Sequence, residues 1–319
     1  MKILLTGCAG FVGSNLLDNL IKKGHYVIGI DNLSTGKIDF INEYFEKNNF
    51  KFFQSDLREI RNLMDELKDI EMVYHLAANA DVRFGLSQPT KDLNQNTVNT
   101  CILLELMREL GIKNIMFAST GSIYGNTKEI PTTENCSFPT QTSLYGASKI
   151  AAEGFLSAYC EGYEFNAVSC RFVSLMGPRY THGHVFDFVE SLIKDSKKLK
   201  ILGDGKQYKS YFHVSDCINA MIILTEKIFN GSIKGYLPVN LGTEESITVE
   251  NSASIICKVL NKKPKFIFTG GRQGWIGDNP RIQLDISRAK SFGWIPKIDI
   301  YSSIEETTLW VYDYLTNKK

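Results

Sequence analysis

The chain has 319 residues, 43% of them hydrophobic and 22% charged, with a net charge of +1. That balance describes an ordinary globular protein able to bury a sizeable core, and it gives nucleic acid or an anionic membrane no electrostatic handle. Seven cysteines without paired short spacing argue against a disulfide framework or a zinc site and suit reduced thiols in a cytoplasmic protein. The first residues carry no signal-peptide pattern, and no run approaches the ~20 apolar residues of a membrane span.

Residues 2–6 read as a buried strand. Gly7, Gly10 and Gly13 follow in a GxxGxxG turn, around Phe11 and Val12, and then Leu16, Leu17, Leu20 and Ile21 fall at helical spacing. Gly7 permits the tight turn, Gly10 lets a pyrophosphate approach the backbone, and Gly13 lets helix and strand pack closely. A second strand over 26–30 ends at Asp31, about twenty residues past the turn. A carboxylate there accepts from ribose hydroxyls and repels a 2′-phosphate, so NAD is favoured over NADP. The loop Asn32, Ser34, Thr35, Gly36 extends the same cradle.

The alternation continues with a third strand over 51–53, ending near Asp56 and Leu57, which are placed to meet the adenine. A fourth strand over 71–75 runs into Leu76, Ala77 and Ala78, whose small side chains admit cofactor backbone. A long helix is expected over 93–110, with Asn96 facing the cofactor. The fifth strand, 113–117, leads into Ala118, Ser119 and Thr120. Next comes Tyr145-Gly146-Ala147-Ser148-Lys149 at the start of a helix. Tyr and Lys four apart share a helical face, and a nearby ammonium favours phenolate over phenol. Alternating strands and helices give an α/β fold, a doubly wound parallel Rossmann sheet with ligands at the carboxyl ends of the strands.

Taken together, GxxGxxG, Asp31, the His75–Ala80 segment HLAANA, the Ser119-Thr120 segment and YxxxK resemble the extended short-chain dehydrogenase/reductase superfamily. The resemblance spans nearly the whole chain and is greatest to nucleotide-sugar 4-epimerases of the UDP-glucose/UDP-galactose type. It implies an NAD-binding domain over 1–172, with the chain returning to it around 210–240, and a smaller α/β lobe within 173–319 that binds a nucleotide diphosphate sugar. Tyr145 is then the catalytic base and Lys149 depresses its pKa and holds the nicotinamide ribose. Thr120 occupies the position that hydrogen-bonds the oxygen at C4. Val173 joins the cofactor set.

The second half has a strand over 165–172, a helix over 185–192, a short extended piece over 200–202 and a strand entering a helix over 208–216. The resemblance assigns substrate binding to Ser174, His184, Val185, Lys200, Leu202, Lys209 and Arg272. Two positions depart from the family pattern. Lys209-Ser210-Tyr211 stands where Arg-Asp-Tyr/Phe is common, and Ser174 replaces an asparagine; lysine neutralises a phosphate only as a point charge. His213 reads as structural.

The expected chemistry is oxidation at C4, turnover of a 4-keto sugar in its pocket, and return of hydride to the opposite face on a retained NAD. Gly121-Ser122 stands where the related 4,6-dehydratases carry Asp-Glu, which disfavours dehydration. A 4-dehydrogenase, a uronate decarboxylase and a non-catalytic NAD-binding regulator are the alternatives. The helices at 93–110 and 145–159 pair across a two-fold axis in the family, so a homodimer is expected, with no metal, nucleic acid or membrane involved.

Overall fold

The computed structural model describes residues 1–79, 87–137, 140–271, 274 and 281–317. A seven-stranded parallel sheet forms its centre. Six strands come first in the chain: β1 (Lys2–Thr6), β2 (Tyr26–Asp31), β3 (Phe50–Gln54), β4 (Met72–His75), β5 (Asn114–Thr120) and β6 (Asn166–Phe172). The seventh, Tyr236–Leu241, pairs in parallel with β6. From one edge to the other the order is Tyr236–Leu241, β6, β5, β4, β1, β2, β3. The winding direction reverses between β1 and β4, and a crevice opens there at the carboxyl ends.

Both faces are covered, so the strands are apolar on both sides. Ile3 and Leu5 of β1, with Met72 and Tyr74 of β4, face α1 (Phe11–Lys22), whose Leu16, Leu17 and Leu20 are fully buried. Leu4, Val73, Ile115 and Phe117 point the other way, against Leu103, Leu104 and Met107 and against Ala152 and Leu156. Those residues lie on α3 (Asn99–Leu110) and α4 (Leu144–Tyr163). The period-two alternation of the strands thus feeds two separate cores.

The expected single helix over 93–110 is built differently. α2 (Pro89–Asp92) leads into a π-helical turn, Leu93–Val98, and only then into α3. One extra residue per turn changes which side chains face the crevice.

After β6 the chain enters a smaller lobe. Its strands are β7 (Ser174–Met176), β8 (Lys198–Ile201), β9 (Tyr208–Lys209) and β10 (Tyr211–His213); in chain order Tyr236–Leu241 is β11, followed by β12 (Ile247–Thr248), β13 (Lys265–Phe268) and β14 (Arg281–Ile282). They form three small sheets, β10–β7, β12–β9–β14 and β13–β8. α5 (His184–Lys194), α7 (Val249–Val259) and α9 (Ile300–Thr316) close a third core around Val185, Val189, Leu199, Ile256 and Ile304, while α8 (Ser287–Ser291) is a short outlying turn. α6 (Val214–Phe229) returns to pack on α1 and the central sheet, through Cys217, Met221 and Leu224. His213 starts α6 as its cap, Nδ1 accepting from the Ser215 amide at 3.2 Å. No described helix is long and apolar enough to cross a membrane.

Candidate active site

A cavity of about 610 Å³ runs from the glycine turn, across the ends of β4 and β5, into the lobe. Its walls are Gly7, Gly10, Phe11, Val12 and Gly13 at one end, Thr120 and Tyr145 in the middle, and Lys200, Leu202 and Lys209 at the other.

The turn is tight for a stated reason. Gly7 has φ +71°, and a Cβ there would stand 2.7 Å from the Ala77 amide nitrogen; a Cβ on Gly13 would meet the Gly7 carbonyl oxygen at 2.0 Å. No side chain caps α1. Its first-turn amides therefore face the cavity as donors for an anion. Asp31 ends β2 with its carboxylate held by the Ala9 amide at 3.0 Å and the Leu33 amide at 2.8 Å. Burial raises its pKa, opposed by those two bonds. Gly36 lies behind this carboxylate, where a Cβ would crowd Oδ1 at 2.9 Å. Asn32, Ser34, Thr35, Leu57, Leu76, Ala77, Ala78 and Val173 line the cavity.

Tyr145 sits in the first turn of α4, which Ser143 caps by accepting from the Gly146 amide at 3.0 Å. Thr120 accepts from the Ser122 amide at 3.1 Å and donates to Ser122 Oγ at 3.2 Å, so it caps the turn after β5 at the cavity wall. The Tyr145 phenol is buried, and burial pushes its pKa up to about 12; the Thr120 side chain stands close enough to oppose part of the rise.

Several residues fall elsewhere than the sequence suggests. Lys149 lies beneath the cavity wall, donating from Nζ to the Ala118 carbonyl at 2.8 Å. Burial pulls its own pKa down to about 7, opposed in part by Glu153 and Asp92. Ala118 thus serves through its carbonyl, and Ser119 turns away to bond Glu153. Asn96 is buried off the cavity: its Oδ1 accepts from the Asn79 amide at 2.9 Å and its Nδ2 donates to Ser148 at 2.9 Å. The π-helical turn instead brings Gln95 and Asn99 to the wall, which helical spacing alone could not reveal. Asp56 does not line the cavity either. It binds Arg58 at 2.8 Å and Asn32 at 2.9 Å, and the Arg58 guanidinium holds its pKa at about 2, with Ser55 and Leu57 facing inward in its place.

In the lobe, Ser174, His184, Lys200, Leu202 and Lys209 line the cavity, and Val185 does not, being fully buried in the lobe core on the inward face of α5. The His184 ring stacks on Tyr211 at 4.8 Å, and its Nε2 meets Ser252 Oγ at 2.8 Å. Burial and the Lys209 charge keep it neutral, with a pKa near 3. Arg272 lies outside the described residues. Tyr180, His182 and Gln207, which sequence patterns did not single out, also line this end. Among the described residues no cluster of side chains suits a metal ion.

A parallel Rossmann sheet with this glycine turn and a Thr-Tyr-Lys set is the architecture of a nucleotide-binding oxidoreductase-type enzyme. Residues 3–242 match the NAD dependent epimerase/dehydratase family, and the chain belongs to that family. It is 32% identical over 314 residues to a putative UDP-glucose 4-epimerase of Methanocaldococcus jannaschii, covering 97% of this chain and 98% of that protein. A solved UDP-glucose 4-epimerase from Thermotoga maritima, with UDP-glucose, superposes with a TM-score of 0.88 at 30% identity, over 99% of this chain and 100% of that one. The Thermus thermophilus UDP-glucose 4-epimerase complex with NAD gives 0.84 at 31%, over 98% and 99%. Similarity extends to a mouse dTDP-D-glucose 4,6-dehydratase at 26% identity and an Arabidopsis thaliana UDP-glucuronic acid decarboxylase at 29%. The cofactor is NAD, and the glycine cradle, which a single Cβ would fill, fits it.

Proposed function

We propose that the protein epimerises a nucleotide diphosphate hexose, of the UDP-galactose/UDP-glucose type, at C4 through a transient 4-keto sugar. One observation carries the reading: a cavity joins the glycine turn to the lobe lysines, with Thr120 and Tyr145 both on its wall midway. A dinucleotide and a nucleotide sugar laid end to end would meet at that pair.

Bound NAD supplies the acceptor, and then the donor, of hydride. Gly7, Gly10, Gly13 and Asp31 would hold its adenosine and pyrophosphate, and Lys149 its nicotinamide ribose. Thr120 orients the C4 oxygen, and Tyr145 takes its proton and later returns it. Lys200 and Lys209 neutralise the substrate diphosphate. The sugar turns over between the two transfers, so cofactor is regenerated within the site. Gly121 and Ser122 offer no carboxyl group for moving the C5 proton, which speaks against dehydration.

The two long helices expose apolar side chains, Leu144 at 46% and Phe155 at 45% on α4, with Val98 at 39% beside α3. That surface supports a homodimer, and the reduced cysteines support a cytoplasmic setting.

Proton NMR of purified protein with UDP-galactose and no added NAD tests the reading. UDP-glucose should accumulate, and Tyr145→Phe should lose nearly all turnover. No conversion of UDP-galactose, UDP-glucose or their N-acetyl forms would overturn epimerisation. A keto sugar released only with excess NAD would identify a 4-dehydrogenase instead.

A further inference from the structure

His75, the last residue of β4, is 1% exposed and does not line the cavity. Its ring lies between two threonines, with Nδ1 2.8 Å from Thr6 Oγ1 and Nε2 2.9 Å from Thr100 Oγ1. The direction of each bond follows from what the threonines touch. Thr100 Oγ1 donates to the Asn96 carbonyl at 2.6 Å, which can only accept. Its oxygen must therefore accept from His75, and Nε2 carries the ring proton. Thr6 Oγ1 accepts from the Ala77 amide at 3.3 Å and gives its own hydrogen to Nδ1. The chain of bonds runs Ala77, Thr6, His75, Thr100, Asn96, with each hydrogen placed and the imidazole neutral.

Each end of this chain touches a working part of the site. Thr6 and Ala77 bracket the glycine turn: the Leu76 amide donates to the Thr6 carbonyl at 3.2 Å, and Gly7 packs on Ala77. Asn96 lies in the π-helical turn, and its side chain holds the Asn79 main chain and Ser148 Oγ. Ser148 donates to the Tyr145 carbonyl at 2.8 Å. We propose that His75 is a positioning residue that, through this directed chain, sets the glycine turn at a fixed distance from the α4 turn bearing Tyr145. A misplacement of about 1 Å between reacting groups is enough to cost on the order of 100-fold in rate.

The inference about rate rests on the proposed epimerisation, but its effect on cofactor binding does not. His75→Phe keeps the ring volume and removes both bonds; Thr100→Val removes one link with little change in shape. NAD affinity is measured by calorimetry on cofactor-stripped protein, and kcat and KM on NAD-saturated protein with UDP-galactose. Each variant should bind NAD at least about fivefold more weakly and lower kcat about tenfold or more, with KM within about twofold of the parent. The double variant should be no worse than the worse single one, because both break the same chain. Wild-type affinity and kcat in His75→Phe, or losses that multiply in the double variant, would overturn the proposal. So would a fall in melting temperature alone, which would make His75 a packing residue. If the parent protein turns over no substrate, the epimerase reading fails and the calorimetric arm still decides this one.

Discussion

Removing Lys149 should stabilise the cofactor-free protein while abolishing its activity. Lys149 is 2% exposed and, among the described residues, its ammonium donates to one acceptor, the Ala118 carbonyl. Burial lowers its pKa from 10.5 to about 7, and Glu153, one turn along α4, offsets only part of this. Glu153 is itself committed to Arg171, Nη2 to Oε2 at 2.6 Å, so its charge is largely spent. The unfolded chain holds the lysine proton up to about pH 10.5 and the folded chain only up to about pH 7. Between those values the unfolded state binds more protons, so stability falls as the pH drops, and below about 7 the penalty is constant. At about 1.4 kcal/mol per unit, the penalty at neutral pH reaches up to roughly 5 kcal/mol. Lys149→Met escapes it but strands the Ala118 carbonyl at a cost of about 1–3 kcal/mol. A net gain of roughly 2 kcal/mol or more should remain at pH 7 and vanish by about pH 10. Denaturant unfolding of cofactor-stripped protein across that range measures it. A Lys149→Met variant less stable than the parent at pH 7, or a difference that ignores pH, would refute the reasoning.

Tyr145 should titrate far above neutrality in cofactor-free protein, near the value of about 12 that burial imposes. Loading with NAD should lower it, since a positive charge brought into the cavity favours the phenolate. Phenolate absorbance of the parent minus Tyr145→Phe reads both values, and a neutral pKa without cofactor would contradict the burial argument. Gly13→Ala should lose NAD binding, because its Cβ would lie 2.0 Å from the Gly7 carbonyl oxygen, and calorimetry showing parental affinity would disprove the close packing. Arg171→Met should destabilise by about 3–5 kcal/mol, leaving the Glu153 carboxylate buried without its ion-pair partner. Denaturant midpoints would show that loss, and a change under about 1 kcal/mol would mean that Ser119 and Tyr236 satisfy Glu153 alone.

The parts of the site that were legible in the sequence are those whose geometry is local. Gly7, Gly10 and Gly13 work through a turn that spans seven residues, and Asp31 is placed by the end of its own strand. Spacing alone describes both. Asn96 lies off the cavity, where regular helical spacing would not put it, because a π-helical turn runs over Leu93–Val98. That turn delivers Gln95 and Asn99 to the wall instead. Val185 lies off the cavity for a related reason: α5 offers its first turn to the cavity through His184, while the next residue already faces the lobe core. Lobe residues such as Tyr180 and Gln207 come from segments joined only by tertiary packing, and no periodicity marks them.

Lys149 shows a different limit. Its position on the helix is readable, but the net shift of each group is not, because that depends on how deeply the fold buries it. On an exposed helix, an ammonium one turn from a phenol would lower the phenol's pKa. Here the same burial acts on both groups in opposite directions, raising Tyr145 and lowering Lys149. Each charged form is disfavoured while the pocket lacks a counter-charge. A positive charge brought into the cavity would favour the phenolate over the phenol. Under the proposed reaction, Tyr145 would then be able to accept a proton only with such a charge beside it.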